Sequence, residues 1–115
     1  MLKIYGLKNC DTCRKALKWL ATENISHDFI DVRVDGVGEA TLRRWIDTLG
    51  PDKLVNKSST SWRQLDEGQK ADMSSAAVLT LVTQHITLVK RPVIEGQGHL
   101  SVGFKADVQD ALKAL

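Results

Sequence analysis

The sequence contains two cysteines, Cys10 and Cys13, with two residues between them. If a helix begins at this point, the second thiol lies one turn after the first, so the two sulfurs can meet. A structural zinc site would need two more ligands close together, whereas the three histidines are isolated in the sequence. The pair therefore predicts thiol–disulfide chemistry and no bound metal.

An amphipathic helix is predicted directly after Cys10. Apolar residues recur at helical spacing, in the order Cys13, Ala16, Leu17, Leu20 and Ala21. Cys10 then lies at the helix N-terminus, where unpaired N–H groups and the helix dipole favour a thiolate. This predicts that Cys10 is the nucleophile. Cys13, on the apolar stripe, is either the thiol that resolves a mixed disulfide or a small core residue.

Positive charge is concentrated at the start of the chain. Residues 1 to 18 carry five basic side chains and one acidic side chain, although the whole chain has a net charge of only +2. Such a local field suits an anionic ligand or a stabilised thiolate, and a solvated helix face is the alternative. The overall charge is too small to indicate nucleic-acid binding by itself.

The first part of the chain has the pattern strand, helix, strand. Strands are predicted over residues 2–6 and 27–32, on either side of the helix, which Asn24 would end. Residues 35–85 contain no convincing strand, and their apolar spacing predicts several helical segments.

The last part of the chain returns to strands. Two strands, 88–95 and 99–102, flank the Gly96-Gln97-Gly98 turn, and a C-terminal helix follows. The sequence therefore predicts an α/β thioredoxin-like fold (βαβ…ββα) with a helical insertion between its halves. We expect a single domain of 115 residues, with its core at 1–34 and 86–115 and the insertion at 35–85.

A proline opens the predicted third strand. Proline inside a strand removes a ladder donor, so its position needs a reason. In the predicted fold, Pro92 stands where a cis-proline lies beside the reactive thiol, and a trans proline in an edge strand is the alternative. Arg91 would then lie next to Cys10, suited to an oxyanion or a carboxylate.

Three segments together resemble the glutaredoxin-coupled arsenate reductase family (ArsC/Spx), and its small YffB-type branch most of all. They are Asn-Cys-Asp-Thr-Cys-Arg-Lys-Ala-Leu at 9–17, Ser-Trp-Arg at 61–63 and Val-Lys-Arg-Pro-Val-Ile at 89–94. The resemblance covers essentially the whole chain. It implies a nucleophilic cysteine at Cys10 and anion-binding arginines at Arg63 and Arg91. The candidate substrate- or glutathione-binding residues are Lys8, Asn9, Asp11, Thr12, Arg63, Arg91 and Pro92.

The sequence departs from the arsenate reductases of that family in two ways. Those enzymes carry a third oxyanion-binding arginine after the hairpin, where residues 100–104 read Leu-Ser-Val-Gly-Phe. They also usually lack the second cysteine that Cys13 supplies. Both differences argue against arsenate as the main substrate.

The interpretation we favour is a cytoplasmic thiol–disulfide oxidoreductase that uses glutathione as co-substrate. Cys10 and Cys13 would be catalytic, glutathione or glutaredoxin would be the partner, and no cofactor would be tightly bound. The substrate would be a small anion or a disulfide. No apolar stretch is long enough to predict a membrane span. The alternatives are an arsenate reductase and a redox-sensing regulator that binds RNA polymerase.

Overall fold

The computed structural model describes every residue from Met1 to Leu115, and its contacts divide the chain into two units. The sheet unit comprises Met1–Asp35 and Arg91–Leu115, and the helical unit comprises Gly36–Lys90. In chain order the elements are β1 Leu2–Gly6, α1 Asp11–Thr22, β2 His27–Asp31, α2 Glu39–Leu49, α3 Pro51–Leu54, α4 Thr60–Arg63, α5 Glu67–Ala71, α6 Ser75–Gln84, a 3-10 helix Ile86–Leu88, β3 Val93–Gly96, β4 His99–Val102 and α7 Ala106–Lys113.

The sheet unit is built on four strands in the order β2-β1-β3-β4. β1 pairs with β2 in parallel, and the β1–β3 and β3–β4 pairs are antiparallel. The bounds of β1 and β4 are those predicted from the sequence. The order βαβ, then ββα, confirms the predicted α/β thioredoxin-like fold, with the helical segment between the two halves of the sequence.

The core of the sheet unit forms where α1 and α7 pack on the sheet. Leu2 and Ile4 point to one face of β1 because strand side chains alternate, and Ile94 of β3 lies beside them. Ala16 and Leu20 of α1 and two residues of α7, Val108 and Leu112, complete this buried cluster. Full burial of a side chain of this size contributes about 1.5–3 kcal/mol. This packing fixes α1, and hence its first turn, against β1.

The predicted apolar stripe of α1 is wider than the buried one. Cys13, Ala16 and Leu20 are buried, whereas Leu17 is half-buried and Ala21 is exposed. The helix ends at Thr22. Asn24 follows in the left-handed region at φ 57°, and Ile25 N–H donates to the Leu20 carbonyl at 3.0 Å. Asn24 therefore ends the helix as predicted.

The helical unit contains α2 to α6 and the 3-10 helix. α2 ends at Leu49 and is followed by Gly50, whose φ of 93° favours glycine. Pro51 then begins α3. Ser59 and Ser74 cap α4 and α6 by accepting backbone N–H groups. α5 was not predicted, although Asp66 and Gln69 form a capping box at its start. None of the helices in the chain combines the length and the apolar character that crossing a bilayer requires.

The third strand is shorter than predicted, because it begins at Val93 and not at Leu88. Lys90 N–H donates to the Leu54 carbonyl at 2.7 Å, and Asn56 N–H donates to the Leu88 carbonyl at 2.8 Å. Val89 also forms an isolated antiparallel bridge with Val55. Residues 86–90 therefore belong to the helical unit, and the second half of the core begins at Arg91 rather than at residue 86. The expectation of a single domain stays a prediction.

Candidate active site

The first turn of α1 positions Cys10. Cys10 N–H donates to the Leu7 carbonyl at 3.2 Å, closing a tight turn after β1. Cys10 has extended backbone angles and occupies the N-cap position, and its carbonyl accepts the Arg14 N–H at 3.0 Å. Its thiol is partly exposed. The sulfur thus stands where the first N–H groups of a helix have no partner within the helix.

The pKa of Cys10 lies below that of an ordinary cysteine. Partial burial raises it, but the backbone N–H of Cys13, the Cys13 thiol and the hydrogen bond and charge of Arg91 lower it and together prevail. All three groups favour the thiolate over the thiol. Because the thiolate is the attacking species in disulfide exchange, the geometry activates this sulfur.

Cys13 has the opposite environment. Its side chain is 0% exposed, and burial raises its pKa to about 11, with a further increase from the hydrogen bond and charge of Cys10. The Leu7 N–H and the Arg91 charge oppose this increase but do not cancel it. At neutral pH Cys13 is therefore protonated and can donate its S–H to the Cys10 sulfur.

Gly6 makes room for the Cys13 sulfur, and the sequence analysis did not find this residue. Leu2, Ile4 and Gly6 alternate along β1, so all three lie on the face that packs against α1. A methyl group on Gly6 would overlap Cys13 Sγ and lie 3.4 Å from Phe29 Cε1. Gly6 is not in the left-handed region. A glycine is therefore required here because a larger residue would not leave space for the Cys13 sulfur. The sequence signal that could have revealed this role is a glycine at the end of a strand that precedes a Cys-x-x-Cys helix.

Arg91 and Pro92 lie at the entrance to β3. The Arg91–Pro92 peptide bond is cis, as predicted, and the Pro92 carbonyl accepts the Gly103 N–H at 2.9 Å. Arg91 is partly buried and lowers the pKa of both thiols. The structure thus brings Arg91 to the cysteine pair, whereas contact of Pro92 itself with the pair stays a prediction.

The remaining predicted residues fall into two groups. Lys8, Asn9, Asp11 and Thr12 are exposed and flank Cys10 in the chain. Arg63 belongs to the helical unit, where it ends α4, is exposed, and donates from Nη2 to the Ser58 carbonyl at 3.0 Å. Its predicted role in anion binding stays a prediction. No group of three or more His, Cys, Asp or Glu side chains in the structure could hold a metal ion.

Similarity to known proteins identifies the family of the chain. The model of the ArsC family matches residues 5–112. The chain belongs to the ArsC family. An uncharacterised protein of Haemophilus influenzae is 46% identical over 104 residues, covering 90% of this chain and 91% of that protein.

Two further relatives show the range of this ArsC family member's similarities. A solved structure described as the YffB (PA3664) protein is 38% identical, with a TM-score of 0.91, covering 97% of this chain and 98% of that one. The global transcriptional regulator Spx of Lactiplantibacillus plantarum is 23% identical over 109 residues, covering 93% of this chain and 82% of the regulator. Proteins similar to this chain thus include one named as a transcriptional regulator.

The alkylation rates of Cys10 and Cys13 should depend differently on pH. We expect iodoacetamide to modify Cys10 first, with a rate that levels off at lower pH than for a free cysteine peptide, because its pKa is lowered. Cys13 should react slowly, and its rate should still be rising near pH 11. Peptide mapping by mass spectrometry measures each site in the intact protein.

Arg91→Met should shift the Cys10 profile to higher pH, because one hydrogen bond and one charge that favour the thiolate are lost. Arg33→Met, at an exposed arginine of the same unit, controls for the loss of one positive charge. Faster alkylation of Cys13 than of Cys10 would contradict this assignment of the two thiols.

Gly6→Ala should destabilise the protein by about 1–3 kcal/mol, because the added methyl group overlaps the Cys13 sulfur. In a Cys13→Ala background the same change should cost much less, giving a coupling of about 0.5–3 kcal/mol in a double-mutant cycle. Chemical denaturation of the four proteins measures it. Gly38→Ala is the matched control, since nothing lies within 4 Å of its added methyl group. An equal cost in both backgrounds would refute the steric role of Gly6.

Proposed function

We propose that this ArsC family member is a glutathione-dependent thiol–disulfide oxidoreductase in which Cys10 is the nucleophile and Cys13 the resolving thiol. The observation that carries the proposal is the contrast between the two thiols: Cys10 is partly exposed at the N-cap of α1 and its pKa is lowered, whereas Cys13 is buried one turn later and its pKa is raised to about 11. In such a pair the thiol with the lower pKa attacks first as a thiolate, and the thiol with the higher pKa stays protonated until the second step. A core cysteine alone would not explain its hydrogen bond to Cys10.

The reaction starts with attack of the Cys10 thiolate on one sulfur of a disulfide, such as a glutathionylated thiol. A bond forms between Cys10 Sγ and that sulfur, the substrate disulfide bond breaks, and the departing thiolate takes a proton from water. Cys13 then loses its proton and attacks Cys10 Sγ, which releases the second thiol and leaves a Cys10–Cys13 disulfide. Two glutathione molecules, or one dithiol glutaredoxin, return two electrons and restore both thiols.

Arg91 also supports an anionic substrate. Its guanidinium acts on the thiols and can bind a carboxylate of glutathione with a charge-assisted hydrogen bond. Exposed Lys8 adds positive charge beside the helix N-terminus, and Asn9, Asp11 and Thr12 offer polar groups there. Since the electrons travel on sulfur, no tightly bound cofactor is required. A reducing cytoplasm would keep the pair in its dithiol form.

Single serine variants test this proposal through the mixed disulfide. After incubation with oxidised glutathione, Cys13→Ser should carry one glutathione on Cys10, because no thiol remains to displace it. Cys10→Ser should carry none, and the wild type should form the internal disulfide. Intact-mass spectrometry distinguishes these products, with the double serine variant as the blank. Absence of an adduct on Cys13→Ser would overturn the glutathione dependence.

Arsenate reduction should be weak. The segment that carries the third arginine in arsenate reductases contains Val102, which is buried at 8% exposure, and Gly103, which has a φ of 79°. A charged donor to an oxyanion contributes roughly 1.5–3 kcal/mol, so its absence should lower turnover by about 10- to 100-fold. Arsenite formation in the presence of glutathione and glutaredoxin measures the rate of arsenate reduction. A rate equal to that of an arsenate reductase assayed alongside would contradict the expectation. The Arg63→Ala and Arg91→Ala variants would then show which arginine binds the anion.

The similarity to transcriptional regulators named Spx favours a second candidate, a redox switch that binds RNA polymerase. In that case the cysteine pair would report oxidation and a protein surface would carry the function. Co-purification with RNA polymerase, together with no turnover of a glutathionylated peptide, would favour this candidate. The partly exposed Cys10 thiol, whose pKa is lowered, suits a redox switch as well as an enzyme, so turnover decides between the two candidates.

A further inference from the structure

The outer face of α1 carries a basic stripe, which we define as Arg14, Lys15 and Lys18. All three side chains are exposed. At 100° per residue they fall within one sector of the helix, opposite the buried residues Cys13 and Leu20. The stripe is therefore not needed to pack α1 on the sheet.

The positive charge of the stripe is largely uncompensated within the structure. Arg14 lies 3.5 Å from the Asp11 carboxylate and donates from Nε to the Lys8 carbonyl at 3.0 Å. Lys15 and Lys18, together with exposed Lys8, have no acidic partner. Four cations thus surround one carboxylate at the start of the helix that presents Cys10.

The stripe begins at the reactive sulfur and stays within its electrostatic range. At a rise of about 1.5 Å per residue, Lys15 lies about 7.5 Å and Lys18 about 12 Å along the helix from Cys10. The screening length is about 8 Å at physiological ionic strength. At Cys10 the field of Arg14 and Lys15 is therefore screened by roughly half, and that of Lys18 is screened further.

Burial decides from which side the disulfide form can be attacked. Cys13 is 0% exposed, so an incoming thiolate reaches the sulfur of Cys10, at the exposed end of α1. A protein that delivers such a thiolate must place part of its surface over the first turns of the helix. That part meets the basic stripe.

We propose that the basic stripe docks the thiol protein that reduces the Cys10–Cys13 disulfide, through carboxylates that flank the reactive cysteine of that partner. This rests on the proposed oxidoreductase function and specifies its partner. The partner thiolate forms a bond to Cys10 Sγ, and Cys13 leaves and takes a proton. A second thiol of the partner then attacks the partner sulfur of the mixed disulfide, releasing the Cys10 thiolate. The partner ends as a disulfide, and the pair ends as the Cys13 thiol and the Cys10 thiolate.

Two synthetic dithiol peptides with the same Cys-x-x-Cys motif test the proposal, one with flanking glutamates and the other with flanking glutamines. The rate of reduction of the oxidised full-length protein is followed by chromatography at ~20 mM and at ~500 mM salt. At low salt we expect the acidic peptide to react about tenfold faster than the neutral one, an advantage that high salt removes. Lys15→Glu with Lys18→Glu should remove the same advantage and should change the rate with dithiothreitol, whose thiolate carries a single charge, far less.

Lys53→Glu with Lys105→Glu is the matched control, because both lysines are exposed, lie outside α1 and change the net charge equally. Equal rates for the two peptides, or no effect of the α1 substitutions, would overturn the docking role while the oxidoreductase function stood. No reduction by either peptide or by dithiothreitol would overturn the function itself. Binding of a ~20-base-pair DNA duplex that only the α1 substitutions abolish, with unchanged peptide rates, would assign the stripe to nucleic acid instead.

Discussion

The stabilisation of one negative charge, on the sulfur of Cys10, is the constraint on which the rest of the site depends. Three groups from two places in the sequence supply it: the Cys13 N–H, the Cys13 thiol and the Arg91 guanidinium. Cys13 lies in the first turn of α1, and Arg91 lies at the entrance to β3, 78 residues later. Arg91 therefore acts on Cys10 only when β3 is paired with β1, because these strands are distant in the sequence and neighbours in the sheet.

The same packing that stabilises the sheet unit also places Cys13, the proposed resolving thiol. Cys13 lies on the buried face of α1 with Ala16 and Leu20, so the periodicity that folds the helix also keeps this thiol away from water. Gly6 gives the sulfur its space at the end of β1. The contact between Gly6 and the Cys13 sulfur therefore affects both the stability of the sheet unit and the reactivity of the cysteine pair. A substitution at the end of β1 should consequently change the reactivity of the Cys10 thiolate.

Local pattern predicted much of this structure, and contacts between distant segments explain what it missed. β1 and β4 alternate, and α1 has helical spacing, so the sequence alone predicted these elements and the place of Cys10 at the start of α1, whereas the role of Cys10 as nucleophile stays a prediction. Residues 88–91 were predicted as strand because Leu88 and Val89 continue an apolar run, but their backbone bonds go to Leu54 and Asn56. Gly6 was missed because a glycine can serve many purposes, and only the folded structure shows the sulfur beside it.

In the proposed reaction, the high pKa of Cys13 is compatible with its resolving a mixed disulfide. At a pKa of about 11, roughly one Cys13 in ten thousand would be ionised at pH 7. Part of that shift comes from the hydrogen bond and the charge of Cys10, and both disappear once Cys10 Sγ is bonded to a substrate sulfur. Arg91 and the Leu7 N–H, which lower the pKa of Cys13, remain. Reaction at the first thiol therefore activates the second, which gives the two steps a fixed order.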